Sequence, residues 1–309
     1  MDSAAAQRRF CIEKTLSLRP QPSATMFFYY LFRFFAFVVQ CLPAWCLYRL
    51  SDAMAWLLYR GVGYRRKVVY DNLRRAFPAA TDAEIQNIAA ASYRNMTDVL
   101  LETIQSFGMT DQQILARYTL ENLELPNQYA QAGRSVLVTA AHYANWEWGV
   151  KVLPSVLRHT CIATYRPLQQ AQIEQYLHRS RTAYGMRLFA TRETHRAFIE
   201  YADQCYALFM MPDGSPAKPE SAHRILFLGR ETACIHGPAK YSQAHDLPVL
   251  YLAIQRVARG KYSGKFMLLA EQAQQIEPTE ITRRIMQALS DQIALEPADW
   301  LWTHRRWKH

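Results

Sequence analysis

From residue 126 onward the sequence repeats one grammar: a short apolar run, a polar break, then a longer amphipathic stretch. The runs at 135–141, 160–165, 205–211, 248–255 and 265–270 are rich in branched and aromatic residues and too short for helices, so they read as strands. Helical stretches at 169–184 and 192–204 lie between them, and 279–295 follows. Strands alternating with helices predict an α/β fold: a layered domain with a largely parallel central sheet flanked by helices. Such sheets bind ligands beyond the carboxyl ends of their strands, which sends the search for chemistry to the strand exits.

Upstream, residues 77–107 form a strong helix with Thr81 and Glu84 as a capping box, and Ile85, Ile88, Ser92, Met96, Val99, Thr103 and Phe107 recur at three or four residues to give one buried face. This helix dominates a connector over 63–125 that leads into the α/β core, 126–309. Before it, 26–58 is packed with aromatics but broken by Arg33, Gln40, Pro43, Arg49 and Asp52. Its longest uncharged stretch, 34–48, is shorter than the roughly 18 to 20 residues of a clean spanning helix. Residues 26–62 therefore read as a membrane-associated helix or helical hairpin, with Tyr and Trp at the interface and arginines reaching for headgroups. Arg65, Arg66 and Lys67 follow as a basic anchor. A buried hairpin of a soluble protein is the alternative that length leaves open. Residues 1–25 read as a mobile tail, with Met26 a candidate start.

The 309 residues carry 36 Lys and Arg against 26 Asp and Glu, a net charge of +10, while half are hydrophobic. That excludes a disordered chain and points to an acidic partner: nucleic acid, anionic lipid, a phosphorylated substrate or an acidic protein. A nucleic-acid binder is disfavoured, because no helix-turn-helix, RRM or finger signature is present and the 26–58 segment would have no role. The six cysteines contain no C-x-x-C pair and read as buried apolar residues in a reducing compartment; no metal site is supported.

The first strand exit is the sharpest feature. The run 135–141 leads straight into His142-Tyr143-Ala144-Asn145-Trp146-Glu147, an H-x4-E pattern. On one continuous helix those two side chains would stand about 140° apart. With His142 in a turn and Asn145 capping a new helix, Glu147 falls in the first helical turn and can fold back toward the imidazole. A carboxylate that holds one ring nitrogen leaves the other free as a general base, and the nucleophile then has to come from the substrate.

This segment resembles the H-x4-D/E motif of the glycerolipid acyltransferase superfamily, and HYANWE is close to the H-x-G-N-W-E form of the bacterial lipid A biosynthesis acyltransferases. Other marks of that family recur in order: NLRRAFP at 72–78, Tyr165-Arg166-Pro167, RTAYGMRL at 181–188, Pro212-Asp213, FLG at 227–229, GPAK at 237–240 and the terminal WLWTHRRWK. Two positions depart from it: Ala144 stands where Gly is usual, and Gly214 stands where Gln usually follows the Asp.

The resemblance implies transfer of a fatty acyl chain from an acyl carrier protein thioester to a hydroxyl of a lipid A precursor, with no metal or redox cofactor. It implies an inner-membrane protein whose catalytic domain faces the cytoplasm. His142 and Glu147 are then the catalytic pair. Arg166 is a donor to the oxyanion or to an acceptor phosphate. Asp213 positions the acceptor, tunes the site or merely caps a loop, and Tyr165 and Asn145 complete the substrate-binding set. Arg179, Arg181 and Arg187, with Arg192 and Arg196, form a basic patch that is either a solvated helix face or a dock for the carrier protein or lipid phosphates. Acyl transfer to another glycolipid or aminolipid and a non-catalytic membrane scaffold are the competing readings.

Overall fold

The computed structural model describes residues 23–307, so most of the expected N-terminal tail lies outside the described residues. Helices α1 (Ser23–Cys41) and α2 (Ala44–Trp56) form a hairpin broken at Pro43, whose ring admits no helical amide. A π-helical turn, Leu57–Gly61, leads into α3 (Arg66–Ala76) and the long α4 (Asp82–Gln105). The capping box at the head of α4 is formed: Glu84 N–H donates to Thr81 Oγ1 at 3.3 Å and Thr81 N–H donates to the Glu84 carboxylate at 2.7 Å. Both bonds satisfy donors that the first helical turn leaves orphaned.

The remainder runs α5 (Asp111–Leu115), β1 (Tyr118–Glu121), α6 (Glu124–Gln131), β2 (Val136–Thr139), α7 (Trp146–Val156), β3 (Thr160–Tyr165), α8 (Ala171–Thr182), β4 (Arg187–Ala190), α9 (Thr194–Glu200), β5 (Tyr206–Met210), β6 (His223–Phe227), β7 (Arg230–Cys234), α10 (Gly237–Ala244), β8 (Val249–Ala258), β9 (Lys261–Ala270) and α11 (Pro278–Leu295). Seven strands make one sheet in the order β1-β9-β8-β2-β5-β3-β4. All its neighbours are parallel except β8 and β9, which are antiparallel. β2 and β5 are buried along their whole length, as expected for strands covered on both faces.

The expected α/β class and the five expected strands are present. Three features escaped the sequence. β1 lies within the stretch read as connector yet pairs with β9 at the sheet edge. β4 is only four residues long and begins on an arginine, Arg187. β6 and β7 form a separate antiparallel hairpin. The cysteines also differ from expectation: Cys161 and Cys234 are buried, but Cys46 and Cys205 are half-buried and Cys41 is exposed.

One face of α1 is packed and the other is bare. Ala36 and Val39 are fully buried against Leu47, Leu101 and Ile104, while Phe27, Phe28, Tyr30, Leu31, Phe34 and Phe37 are each more than half exposed. No helix among the described residues is long and apolar enough to cross a membrane.

The hairpin is fastened to the sheet by charge. Asp98, fully buried on α4, accepts from Ser51 Oγ at 2.5 Å, from Arg256 at 2.5 Å and from Arg259 at 2.7 Å, and Arg259 also binds Asp52 at 2.8 Å. Removing one member of such a cluster strands the others without counter-charge. Asp98→Ala is therefore expected to lower unfolding free energy by about 3–5 kcal/mol in chemical denaturation.

Candidate active site

β2 and β5 are neighbours, with Thr139 opposite Met210. His142 and Asp213 follow those partners at equal distance along their chains, so parallel register alone delivers them side by side at the carboxyl edge of the sheet. The contact is close. His142 Nδ1 and Asp213 Oδ1 are 2.8 Å apart, and the His142 backbone N–H donates to Asp213 Oδ2 at 3.0 Å. Trp300 Nε1 donates to the same Oδ2 at 3.1 Å. With an ionised carboxylate on Nδ1, that nitrogen carries the proton and Nε2 is left with its lone pair.

Burial pushes the imidazole pKa of His142 down, but the charge and hydrogen bond of Asp213 outweigh it, assisted by the more distant charge of Glu147, and the net shift is upward. Asp213 is buried, which alone would raise its pKa; the charge and hydrogen bond of His142 and the Trp300 bond reverse this and hold it at about 2. The two shifts describe one ion-paired unit, with Asp213 charged throughout the neutral range.

Glu147 does not take the role expected of it. It sits in the first turn of α7, and its carboxylate is bound bidentately by Arg181 of α8, with Nη2 to Oε1 at 2.6 Å and Nε to Oε2 at 3.1 Å. The fork of guanidinium donors matches both oxygens, and the Nδ1 side of His142 is already filled by Asp213. Glu147 thus acts on His142 through space and fixes α8 against α7.

Asn145 is likewise displaced from its expected role. It is fully buried; its Oδ1 caps α7 by accepting from Trp148 N–H at 3.0 Å, as the sequence implied, and its Nδ2 donates to Glu102 at 2.8 Å. Both polar ends are engaged inside the protein and the side chain has no exposed surface, so it does not face a substrate in this structure. Glu102, which the sequence reading passed over, collects that bond together with those of Tyr48 at 3.0 Å and Tyr262 at 2.7 Å. Burial raises its pKa despite these donors.

Of the basic patch, Arg181 is withdrawn into the Glu147 pair, whereas Arg179, Arg187, Arg192 and Arg196 are exposed. Arg166 is exposed at the β3 exit; Tyr165 beside it is half-buried, its hydroxyl pushed up to about 12 by burial and by a bond to Glu174. Lys151 was also missed. It is buried one turn beyond Glu147, donates to Ser106 O at 2.9 Å and Oγ at 2.8 Å, and is pushed down to about 7 by burial.

The turn is clamped from behind by the carboxy-terminal segment. Tyr143 pairs with Trp300 in an antiparallel bridge, Leu301 N–H donates to His142 O at 3.1 Å, and Ala144 N–H donates to Asp299 O at 2.9 Å. Ala144 itself has φ +48°, the left-handed region that favours glycine, and its methyl is buried. The departure from Gly noted in the sequence therefore falls on a strained backbone position. Ala144→Val is expected to reduce stability by about 2–4 kcal/mol, because a branched side chain there meets both the backbone penalty and a packed surrounding, while Ala144→Gly leaves the melting temperature within a few degrees.

A small apolar cleft lies near this pair, lined by sequence neighbours of both residues. Ala140 and Trp146 flank His142 in sequence, Met210 and Met211 precede Asp213, and Leu153, Met186 and Phe209 extend the lining. Trp146 also meets the His142 ring edge-on, with centroids 5.2 Å apart. Neither His142 nor Asp213 lines the cleft itself, but its apolar walls begin within a few residues of both, a setting that suits a hydrocarbon group.

The profile of the bacterial lipid A biosynthesis acyltransferases matches residues 18–309. The chain belongs to that family. This acyltransferase is similar to the lipid A biosynthesis palmitoleoyltransferase of Escherichia coli (strain K12) and to a lipid A biosynthesis acyltransferase of Shigella flexneri, each 22% identical over 246 residues, or 79% of both chains compared. In this acyltransferase the histidine of the H-x4-E motif stands in the geometry of a general base, while the motif's glutamate is engaged by Arg181.

Proposed function

We propose that the acyltransferase moves a fatty acyl chain from an acyl carrier protein thioester to a hydroxyl of a lipid A precursor, with His142 as base and Asp213 as its orienting carboxylate. The observation that carries this reading is the 2.8 Å contact between His142 and Asp213 at the carboxyl edge of the sheet, with an apolar cleft nearby. The acyl chain occupies the cleft, which brings the thioester carbonyl to the strand exits. His142 Nε2 takes the proton of the acceptor hydroxyl as its oxygen attacks the carbonyl carbon. The tetrahedral oxyanion is met by nearby backbone N–H groups or by Arg166, which alternatively serves an acceptor phosphate. As the carbon–sulfur bond breaks, the imidazolium returns its proton to the leaving thiolate, and ester and carrier thiol separate. These steps call on no metal or redox cofactor.

The bare aromatic face of α1 supports placement at the cytoplasmic surface of the bacterial inner membrane, with that face lying among the lipids. Arg179, Arg187, Arg192 and Arg196 support docking of an acidic carrier protein, an attraction that salt would screen.

The deciding experiment incubates the purified full chain with an acyl carrier protein thioester and a lipid A precursor, and follows the lipid by mass spectrometry. A mass increase of one acyl group, lost on alkaline ester cleavage, is the expected result. Transfer to a different lipid alone would move the acceptor assignment, and no transfer to any lipid would overturn the reading.

A further inference from the structure

Residues Pro297–Asp299 make a single 3-10 turn that packs against α4 and the end of α11. Asp299 is only 6% exposed, and its two carboxyl oxygens are treated unequally. Oδ1 accepts from Asn95 Nδ2 of α4 at 2.6 Å, whereas Oδ2 is buried and meets no hydrogen-bond partner among the described residues. Nor does any Lys, Arg or His among the described residues form an ion pair with it. The Arg256 guanidinium of β8 stops one side chain short: Nη1 donates to Asn95 Oδ1 at 2.5 Å and Nη2 to Asp98 at 2.5 Å, so the Asn95 amide stands between the two charges. The other charged groups on the packed elements give no counter-charge. On α4, Arg94 reaches Asp52, Asp98 is held by Arg256 and Arg259, and Glu102 by Tyr262 and Asn145. Glu296, at the end of α11, is exposed and of like sign, and Tyr143 of the catalytic turn gives its hydroxyl proton to Glu296 O at 2.6 Å. An ionised carboxylate placed there is a buried charge with one bare oxygen, which costs more than the neutral acid does. Burial pushes the Asp299 carboxyl up to about 7; the charge of Arg256 and the Asn95 bond oppose this and Glu296 adds to it.

The same residue begins the clamp on the catalytic turn. Its backbone O accepts from Ala144 N–H at 2.9 Å, the next residue's indole donates to Asp213 Oδ2 at 3.1 Å, and Leu301 N–H donates to His142 O at 3.1 Å. Ala144 has φ +48°, a conformation that persists only while its surroundings enforce it. Asp299 also lines a small hollow shared with Ser92, Asn95 and Met96 of α4 and with Ala144 and Trp146, so packing between clamp and turn is incomplete on that side.

We infer that Asp299 is a positioning residue for His142: as the neutral acid it keeps the clamp closed on the catalytic turn, and as the carboxylate it loosens that clamp. The role of His142 as base comes from the acyl-transfer reading above, whereas the coupling of Asp299 to the turn stands on the contacts alone. The base works as the neutral imidazole, favoured at higher pH, and the clamp works with the neutral acid, favoured at lower pH. Turnover then peaks between the two, with its acid limb set by His142 and its alkaline limb by Asp299.

Hydrogen exchange on the full chain in detergent micelles tests this without turnover. Amide protection in peptides spanning 142–146 and 299–302, corrected for the intrinsic pH dependence of exchange, is expected to fall about tenfold between about pH 6 and about pH 8.5 in the wild type. It should stay level in Asp299→Asn, which keeps the shape and the acceptor for Asn95 but has no charge to gain. Because the folded pKa lies above the unfolded value of about 4, the wild type loses stability as pH rises from about 4 to about 7, and the difference in melting temperature should move in favour of Asp299→Asn over that window. In acyl transfer, kcat should fall on the alkaline side in the wild type and not in the variant, with KM unchanged in both. Asp299→Ala, although less stable throughout, should likewise lose the pH-dependent part. Wild-type protection that does not change with pH, or the same fall in wild type and variants, would overturn the role. So would variants that lose protection equally at every pH, the mark of a merely structural residue. Exchange that behaves as expected in a chain that transfers no acyl group would support the switch and sink the acyl-transfer reading, so the two fail separately.

Discussion

Asp213→Asn is expected to cut the acyl-transfer rate by about 10²–10⁴-fold with the fold intact, as the amide keeps the carboxylate's shape while losing its charge. An Asn at 213 can present an N–H to Nδ1, and the imidazole then turns over its tautomer so that Nε2 is protonated and cannot accept. The pH profile carries the sharper signature. In the wild type the working form is the neutral imidazole, so activity falls as pH drops through a His142 pKa that Asp213 has raised. Without that charge, burial dominates and the pKa falls, so the residual activity of Asp213→Asn should extend to lower pH. Asp213 itself, held at about 2, contributes stability that is complete above its unfolded pKa of about 4 and lost as pH falls toward about 2, and the variant should lack that acid-dependent increment.

Glu147→Gln is the necessary comparison, because the H-x4-E spacing makes it the obvious partner. Breaking its bidentate bond to Arg181 should cost stability on the order of 2 kcal/mol and leave the acid limb of the rate profile nearly in place. Should Glu147→Gln move that limb and Asp213→Asn leave it fixed, the orienting role would pass back to Glu147.

The second large effect is expected at the base. His142→Ala should lower turnover by about 10²–10⁴-fold, measured as acyl transfer from the carrier thioester, with the fold retained and the melting temperature lowered, because buried Asp213 loses its main partner. The side chain is 36% exposed, so its removal opens little void, and the backbone bonds that shape the turn do not involve the ring. Exogenous imidazole admitted to the vacated space should restore part of the rate, which a merely structural histidine would not permit.

These two residues show what a single sequence can and cannot disclose here. His142 was legible because three local signals coincide: an apolar strand, a turn, and an Asn that caps the next helix. Each depends on neighbours within a few residues. Asp213 was visible only as an acidic residue at another strand exit, and its partnership depends on the register of β2 against β5, a pairing across about 70 residues. A reader confined to local spacing assigns the carboxylate five positions away and misses the one delivered by the sheet. Arg181 failed in the opposite sense. Among four other arginines it looked like surface charge, yet α8 turns it inward to Glu147 while Arg179 stays in solvent. Trp300 sits in a recognisable tail, but no pattern in that tail says that its indole N–H will complete the coordination of Asp213.

The clamp on the catalytic turn also sets an order of events during synthesis. His142 and Asp213 leave the ribosome well before residues 299–301, whose backbone and indole hold the turn in its working shape. A growing chain can build its helical hairpin and most of its sheet while the base is still unset. The turn that carries His142 therefore takes its final shape only once residues 299–301 have been made, after the α1–α2 hairpin and most of the sheet.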